Sequence, residues 1–207
     1  AAVDCERNDE ALVIYRQIRA VDECIITGMD IMGHLLFQKE EITSLNKLTS
    51  DLLAVDPRHA VPWVVASMFS ELKGDQEKAV LFVDKAIQCD PKHAFSFRLK
   101  GHLLLTRQRP DQAVIAFFQA SSLEKDVGTL SGLVQAHMAL HKSSDAIAAA
   151  KDALLLHPRS STAMFLYASV LAMTRDGQKE AVRILKKLLS QSPTHTSAVT
   201  SLVMLLS

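Results

Sequence analysis

Eight histidines in a chain of 207 residues are the side chains whose number and spacing first suggest chemistry. His59, His93 and His195 each stand two residues after a proline, so they recur at one place in a repeated pattern. Such recurrence predicts a structural role in a loop or at the start of a helix, not metal binding. His137 and His141 are four residues apart, a spacing that places two side chains on one face of a helix. Without a third ligand in view, we expect a packed or solvated pair and no metal site.

The other reactive residue types form no catalytic pattern. Cys5, Cys24 and Cys89 lie far apart, and three cysteines at such spacing indicate reduced thiols that pack as small hydrophobic side chains. Ser192-Pro193 has the form of a proline-directed phosphorylation site, but a helix end before a recurring proline is the simpler interpretation. The sequence contains no Gly-rich phosphate loop and no G-x-S-x-G or H-E-x-x-H motif. We therefore expect no catalytic residues, no metal and no cofactor.

The composition indicates a folded, mainly helical chain. Apolar residues make up 48% of the chain and charged residues 22%, and only 7 glycines and 6 prolines are present. The 23 basic residues balance the 23 acidic ones, so we expect no bulk attraction to nucleic acid or a membrane surface. No charge-free stretch approaches the roughly 18 apolar residues of a transmembrane helix. The first residue is Ala, which indicates a fragment or the ordered part of a longer chain.

Prolines mark a period of about 34 residues. Asp-Pro occurs at 56–57 and 90–91, and Pro158 and Pro193 continue the series. If Lys125 fills the missing place, the steps are 34, 34, 33 and 35 residues. A fixed period of this length is typical of arrays of helical hairpins.

Residue size repeats with the same period. The eighth position of each repeat is mostly small and the fourth mostly bulky, with Gly33, Ser67, Gly101, Gln135 and Ala168 at the eighth. The twentieth position holds Leu45, Ala79, Ala113, Ala146 and Ala181. These are the positions of the tetratricopeptide repeat, in which paired helices approach closely where side chains are small.

The pattern predicts an all-α fold, a right-handed superhelical solenoid of antiparallel helix pairs. We expect five whole repeats, at 26–59, 60–93, 94–127, 128–160 and 161–195. Residues 1–25 would contain the second helix of a truncated repeat, and 196–207 the first helix of another. In the second whole repeat, helices at 61–72 and 76–89 would flank a turn at 73–75 in which Gly74 adopts the left-handed conformation.

The remaining turns have weaker signals. Pro110 suits the first turn of the helix that follows it. Ser143 or Ser144 is the expected N-cap of the next second helix. The fifth repeat would turn at 175–178.

Tetratricopeptide arrays bind partners in a concave groove lined by the first helix of each repeat. The groove positions here are mostly apolar, with a polar spot at Arg98 and His102, and suit a hydrophobic segment or an amphipathic helix. The candidate partner-binding residues are Val64, Met68, Phe95, Arg98, His102, Leu105, Leu140, Phe165 and Met173.

Several segments resemble a particular tetratricopeptide family. These segments are Pro62-Trp63-Val64-Val65, Lys85-Ala86-Ile87-Gln88, Leu99-Lys100-Gly101 and Ala113-Val114-Ile115-Ala116-Phe117, followed by Gly132-Leu133-Val134 and Gln178-Lys179-Glu180-Ala181. By residues and spacing, they are similar to the subunit 7 family of the anaphase-promoting complex (cyclosome). The resemblance extends over about residues 26 to 207.

The resemblance implies a non-catalytic scaffold in a ubiquitin ligase that acts in mitosis and the cell cycle. It implies a nuclear location, with the cytoplasm as a second one. Its partners would be other subunits of the complex, including neighbours with tetratricopeptide repeats. Family members form homodimers through N-terminal repeats that we expect this chain to lack, so its self-association stays open.

An adaptor or co-chaperone that binds a peptide segment in its concave groove is the alternative function. A clamp for chaperone C-termini needs Lys and Asn at groove positions five and nine. Asp30 with His34, and Val64 with Met68, do not match that pattern. An enzyme is a third class, and no pairing of nucleophile and base supports it.

Overall fold

The computed structural model describes residues 2–174, 176–193 and 195–206, with side chains from residue 8 onward. This part of the chain contains twelve α-helices and no strand, which confirms the predicted all-α tetratricopeptide class. The helices are α1 (Ala2–Val21), α2 (Met29–Gln38), α3 (Ile42–Val55), α4 (Ala60–Leu72), α5 (Gln76–Cys89), α6 (Ala94–Thr106), α7 (Pro110–Leu123), α8 (Val127–Ala139), α9 (Ser143–Leu156), α10 (Ser161–Ala172), α11 (Gln178–Gln191) and α12 (Thr196–Leu206). No helix among the described residues is both long and apolar enough to cross a membrane. The side chain of Cys5, the predicted turn residue Arg175 and the final Ser207 lie outside the described residues.

The chain divides into two compact units, one ending at Leu103 and the other beginning at Leu104. The first unit contains α1 to α5 and most of α6, and most of its buried hydrophobic residues form one continuous core cluster. The second unit contains the end of α6 and α7 to α12. Its helices enclose smaller clusters, the largest of which gathers residues of α10, α11 and α12.

Small residues bring the two helices of a pair together as the sequence predicts. In the pair α4 and α5, Ser67 holds the eighth position and Ala79 the twentieth, and both are completely buried. The Ser67 hydroxyl donates a hydrogen bond of 2.7 Å to the backbone carbonyl of Ala79. Without a partner, the buried hydroxyl would cost about 1–3 kcal/mol of stability. The hydrogen bond can form only because the small side chains let the two helices approach closely.

The turns inside four helix pairs share one backbone geometry. Glu40, Gly74, Gln108 and His141 all have positive φ angles, of 56°, 77°, 57° and 58°. In each turn, the next residue donates its N–H to the carbonyl oxygen five residues earlier, which ends the first helix. The prediction for Gly74 is confirmed. The other three turns repeat it without glycine, so they had no sequence signal.

The helix starts of the second unit agree with the sequence expectation only in part. Pro110 is the first residue of α7, as predicted. The prediction for α9 is wrong, because Lys142 stands at the N-cap and Ser143 is already helical. The left-handed residue His141 reverses the chain within one residue, so the helix begins earlier than the serines suggest. In the first helix of the same pair, α8, which begins at Val127, Gln135 was expected at a packed position but is exposed.

Candidate protein-interaction site

The three recurring histidines stabilise helix starts. His59 and His195 each accept a hydrogen bond at Nδ1 from a backbone N–H of the following helix, with a length of 3.2 Å in both cases. The Nδ1 atom of His93 lies 2.7 Å from the hydroxyl oxygen of Ser96, in the first turn of α6. The structural role predicted from their recurrence is therefore confirmed.

His137 and His141 do not share a helix face, because α8 ends at Ala139 and His141 lies in the left-handed turn. The prediction of a paired face is therefore wrong. The Nδ1 atom of His137 is buried without a hydrogen-bond partner in the described structure and lies 3.9 Å from the Asp145 carboxylate. Burial lowers the pKa of His137, and the Asp145 charge offsets only part of this effect. Among the described residues, no group of three or more His, Cys, Asp or Glu side chains is arranged to hold a metal ion.

Both described cysteines are free thiols. Cys24 is exposed, so the expectation of a buried hydrophobic cysteine is wrong there, whereas Cys89 is half-buried and packs against the core of the first unit. Cys24 lies in the connection between α1 and α2, where no helix covers it.

Five side chains of the first unit form a polar and aromatic cluster, which we call the closing cluster. His93 Nε2 lies 3.5 Å from Asp30 Oδ2, and these side chains are only 18% and 15% exposed. The rings of His34 and Phe95 meet edge to face with centroids 5.8 Å apart. The guanidinium carbon of Arg98 lies 4.4 Å from the centroid of the Phe95 ring, a cation–π arrangement. Asp30 and His34 belong to α2, whereas the other three belong to α6 or directly precede it, so side chains of two separate helix pairs meet.

Electrostatics in the closing cluster favour an ionised Asp30 and a neutral His34. Burial alone would raise the pKa of Asp30, but the hydrogen bond and charge of His93, together with backbone N–H groups, outweigh it and hold the pKa below its ordinary value. Burial lowers the pKa of His34, and the positive charge of Arg98 lowers it further, against the opposing effect of Asp30. The carboxylate is therefore the charged form that the folded unit stabilises.

Ser96, His93 and Asp30 have the residue types of a hydrolase triad, but their placement does not suit catalysis. Ser96 is completely buried, so no substrate carbonyl can reach its hydroxyl. When Nε2 of His93 carries its proton toward Asp30, Nδ1 accepts from the Ser96 hydroxyl, so the same contacts fix the imidazole tautomer. The arrangement thus orients a histidine between two helix pairs.

The predicted groove residues of the first unit differ in accessibility. Val64 and Met68 are completely buried and belong to the core cluster of this unit. The prediction that they line an accessible groove is wrong, because side chains of α2 and α6 share that cluster with them. Phe95, Arg98 and His102 are half-buried and keep part of their surface accessible.

The predicted groove residues of the second unit all retain exposed surface. Leu105, Leu140 and Phe165 are half-buried, and Met173 is 71% exposed at the end of α10. The ring of Phe165 lies 5.1 Å from that of His195, centroid to centroid. These side chains are partly engaged in packing, and Met173 is the most accessible of them.

Sequence reasoning missed that Asp30 meets His93. Asp30 and His34 were recognised as groove positions of one repeat and His93 as a residue at a helix start, but the two places lie 63 residues apart. Nothing in a 34-residue period indicates that two side chains 63 residues apart touch. The available signal was an acidic residue at a groove position of one repeat and a histidine preceding the first helix two repeats later.

The comparisons with known proteins agree with the fold. The family model "Tetratricopeptide repeat" matches residues 132–196. The structure superposes with a TM-score of 0.71 on the crystal structure of a thermophilic tetratricopeptide protein of Thermus thermophilus, at 19% identity, covering 83% of this chain and 94% of the other.

Among curated proteins, the chain is similar to anaphase-promoting complex subunit 7. It is 35% identical to the Arabidopsis thaliana protein over 196 residues, which is 95% of this chain and 35% of that protein. It is 27% identical to the Homo sapiens protein over 201 residues, covering 97% of this chain and 36% of that protein. The chain thus spans about a third of the length of these relatives. Its fold is that of tetratricopeptide-repeat proteins, and the resemblance to subunit 7 of the anaphase-promoting complex indicated by its sequence is confirmed over nearly the whole chain.

Proposed function

We propose that this chain is part of a non-catalytic scaffold subunit of the anaphase-promoting complex ubiquitin ligase and acts in the nucleus during the cell cycle. The observation that supports the proposal is the 35% identity to a subunit 7 protein over 95% of the chain. Stacked helix pairs present long surfaces to several partners at once, which suits a scaffold. The partners on this proposal are neighbouring subunits, and no cofactor takes part.

The burial of Ser96 supports a non-catalytic role. Its hydroxyl lies beside a histidine that contacts a carboxylate, and it is completely buried. We attribute the polar contacts of the closing cluster to structure, and the ligase chemistry to other subunits.

The repeat boundaries are also part of the proposal. We propose whole repeats at 26–59, 60–93, 94–127, 128–160 and 161–195, with half repeats before and after them. Each of these ranges holds most of two consecutive helices, from α2 with α3 to α10 with α11. The slight offset of α8, which starts at Val127, leaves this pairing intact.

We propose that the accessible members of the predicted groove contact a hydrophobic segment of a neighbouring subunit. In the first unit, these are Phe95, Arg98 and His102, which combine an aromatic ring, a guanidinium group and an imidazole. Arginine is among the residue types that most often dominate the free energy of protein binding, and aromatic side chains including phenylalanine are enriched at protein interfaces. In the second unit, the corresponding accessible residues are Leu105, Leu140, Phe165 and Met173.

Affinity purification of the tagged full-length protein from its own cells tests the proposal. We expect the wild type to recover other subunits of the anaphase-promoting complex, identified by mass spectrometry. The double variant Phe95→Ser with Arg98→Glu should recover at least tenfold less, whereas Lys151→Glu on the exposed surface of α9 should behave like the wild type.

Two other outcomes would contradict the proposal, the first its scaffold function and the second its contact residues. Recovery of chaperones without ligase subunits would replace the scaffold by the adaptor. If the double variant folds, as judged by circular dichroism, and recovers the subunits as well as Lys151→Glu does, the contact does not involve Phe95 and Arg98.

A further inference from the structure

The face of α4 that carries Val64 and Met68 lies where a binding surface is expected, but it is buried like a hydrophobic core. Both residues are groove positions of their repeat, yet neither side chain is exposed to solvent. They share one cluster with Leu99 and Leu103 of α6, and α2 packs directly on α4. Side chains from the first helices of both neighbouring pairs thus belong to the core cluster that contains this apolar face.

We propose that Asp30 and His93 form a latch that keeps the α4 face shut, and that breaking their contact makes Val64 and Met68 accessible. The contact, with an Nε2 to Oδ2 distance of 3.5 Å, joins α2 to the residue preceding α6. α2 and α6 are the first helices of the pairs that come before and after the pair of α4 and α5. The neighbouring edge-to-face contact of His34 with Phe95 joins the same two helices.

A polar contact between Asp30 and His93 can open more easily than an apolar contact in the core. Asp30 and His93 retain 15% and 18% of their side-chain exposure, so water reaches the edge of the pair. A polar pair at such an edge exchanges its partners with water at modest net cost, whereas a buried apolar contact has no substitute partner. Opening is therefore a local event, and the hydrophobic contacts of α4 with α5 on its other side stay in place.

Ser96 positions the latch. Its hydroxyl lies 2.7 Å from Nδ1 of His93 and is itself completely buried. This hydrogen bond keeps the imidazole ring turned so that Nε2 points to Asp30. Removal of the hydroxyl should loosen the histidine and weaken the latch without altering Asp30 or His93.

Thiol accessibility measures the latch without any binding partner, so the result is independent of the proposed scaffold function. In a chain whose native cysteines are replaced by alanine, Met68→Cys reports on the shut face. Ser67→Cys is the matched control, because Ser67 is the adjacent residue and is equally buried, but its side chain contacts α5. The rate of reaction with a disulfide reagent is compared with and without Asp30→Asn, a substitution that removes the charge and keeps the shape.

We expect Asp30→Asn to accelerate labelling at position 68 by roughly five- to tenfold, the change that corresponds to the net worth of one polar contact. The rate at position 67 should stay within about twofold. Ser96→Ala should accelerate position 68 in the same direction, by a smaller factor. Circular dichroism confirms that each variant is folded.

Two results would overturn the latch. The first is an unchanged rate at position 68 in both Asp30→Asn and Ser96→Ala, which would show that packing alone closes the face. The second is equal acceleration at positions 67 and 68, which would show that the substitutions loosen the whole unit. If Asp30→Asn does not fold, Ser96→Ala decides between these outcomes.

Discussion

Gly132 and Phe117 provide the sharpest test of the packing in the second unit. Gly132 lies within α8, and a Cβ atom added to it would stand 2.8 Å from Cδ1 of Phe117 and closer still to Cε1 and Cζ. Favourable contacts between carbon atoms lie at about 3.5–4.0 Å, so the ring would have to retreat by more than about 1 Å. Phe117 is completely buried, so no free space receives it.

Two opposing effects determine the outcome of Gly132→Ala. Alanine gains about 1 kcal/mol over glycine inside a helix. Overpacking a closed site costs about 1–3 kcal/mol. We therefore expect a net loss of up to about 2 kcal/mol in the free energy of unfolding. Phe117→Leu removes Cε1 and Cζ, the two ring atoms that the new methyl group would meet most closely. In that background the same substitution should therefore stabilise the chain by up to about 1 kcal/mol.

Urea unfolding followed by circular dichroism measures the free energy of unfolding of the wild type, the two single variants and the double variant. The effect of Gly132→Ala on that free energy should change sign between the two backgrounds. Gly33→Ala is a graded control, because its added Cβ would lie 2.9 Å from one methyl carbon of Val65, a milder overlap. It should cost less than Gly132→Ala. If Gly132→Ala shifts stability by the same amount with Phe117 and with Leu at position 117, the close approach of α7 and α8 is not what requires glycine.

Further predictions address a ring contact, a helix cap, a strained turn and a titrating group. Trp63→Ala should lower the free energy of unfolding by about 2–4 kcal/mol, somewhat below the cost for a fully buried ring. The half-buried indole packs against the ring of Phe82 on α5, with centroids 5.6 Å apart. A melting temperature equal to the wild type would contradict this. Asp126→Ala should cost about 1 kcal/mol in urea unfolding, since Asp126 accepts a 2.7 Å hydrogen bond at the start of α8, and Asp126→Asn should lose less. His141→Gly should instead stabilise the chain by about 1 kcal/mol by relieving a positive φ; a decrease would show that the imidazole contributes more than the backbone strain costs. Because the pKa of Asp30 is lowered in the folded state, its contribution is complete above the unfolded pKa of about 4 and disappears as the pH falls through the lower folded value. The stability difference between wild type and Asp30→Asn, measured by urea titration from pH 7 to pH 2.5, should therefore shrink only in that acidic window.

Much of the fold was predictable because it depends on local and periodic information. Proline spacing and small residues at fixed positions predicted helix pairs, and α4 and α5 begin and end within one residue of the expected bounds. Gly74 marked its turn because glycine adopts positive φ without strain. Gln108 and His141 adopt the same geometry without that signal. There the hydrogen bonds that end the first helix and the packing of the pair hold a conformation that the residue itself does not favour.

The candidate site was predictable only in part, because groove positions follow from the period and accessibility does not. The period correctly placed Val64, Met68 and Phe95 on first helices, but it assumed that every groove position faces solvent. Val64 and Met68 are buried because they pack in the core of the first unit, whereas Phe95 remains half-buried. Whether a groove position is open depends on how closely the neighbouring pairs approach.

The sequence by itself determined the period, the helix pairs and the subunit 7 resemblance, because each of these depends on residue types at short, fixed separations. Only the tertiary structure decided that Asp30 meets His93, that the α4 face is shut, and that Gly132 leaves room for a buried phenylalanine ring. The physical reason is the same in all three cases. These contacts join residues of different helices, and their distances depend on how side chains of particular sizes fill the space between the helices.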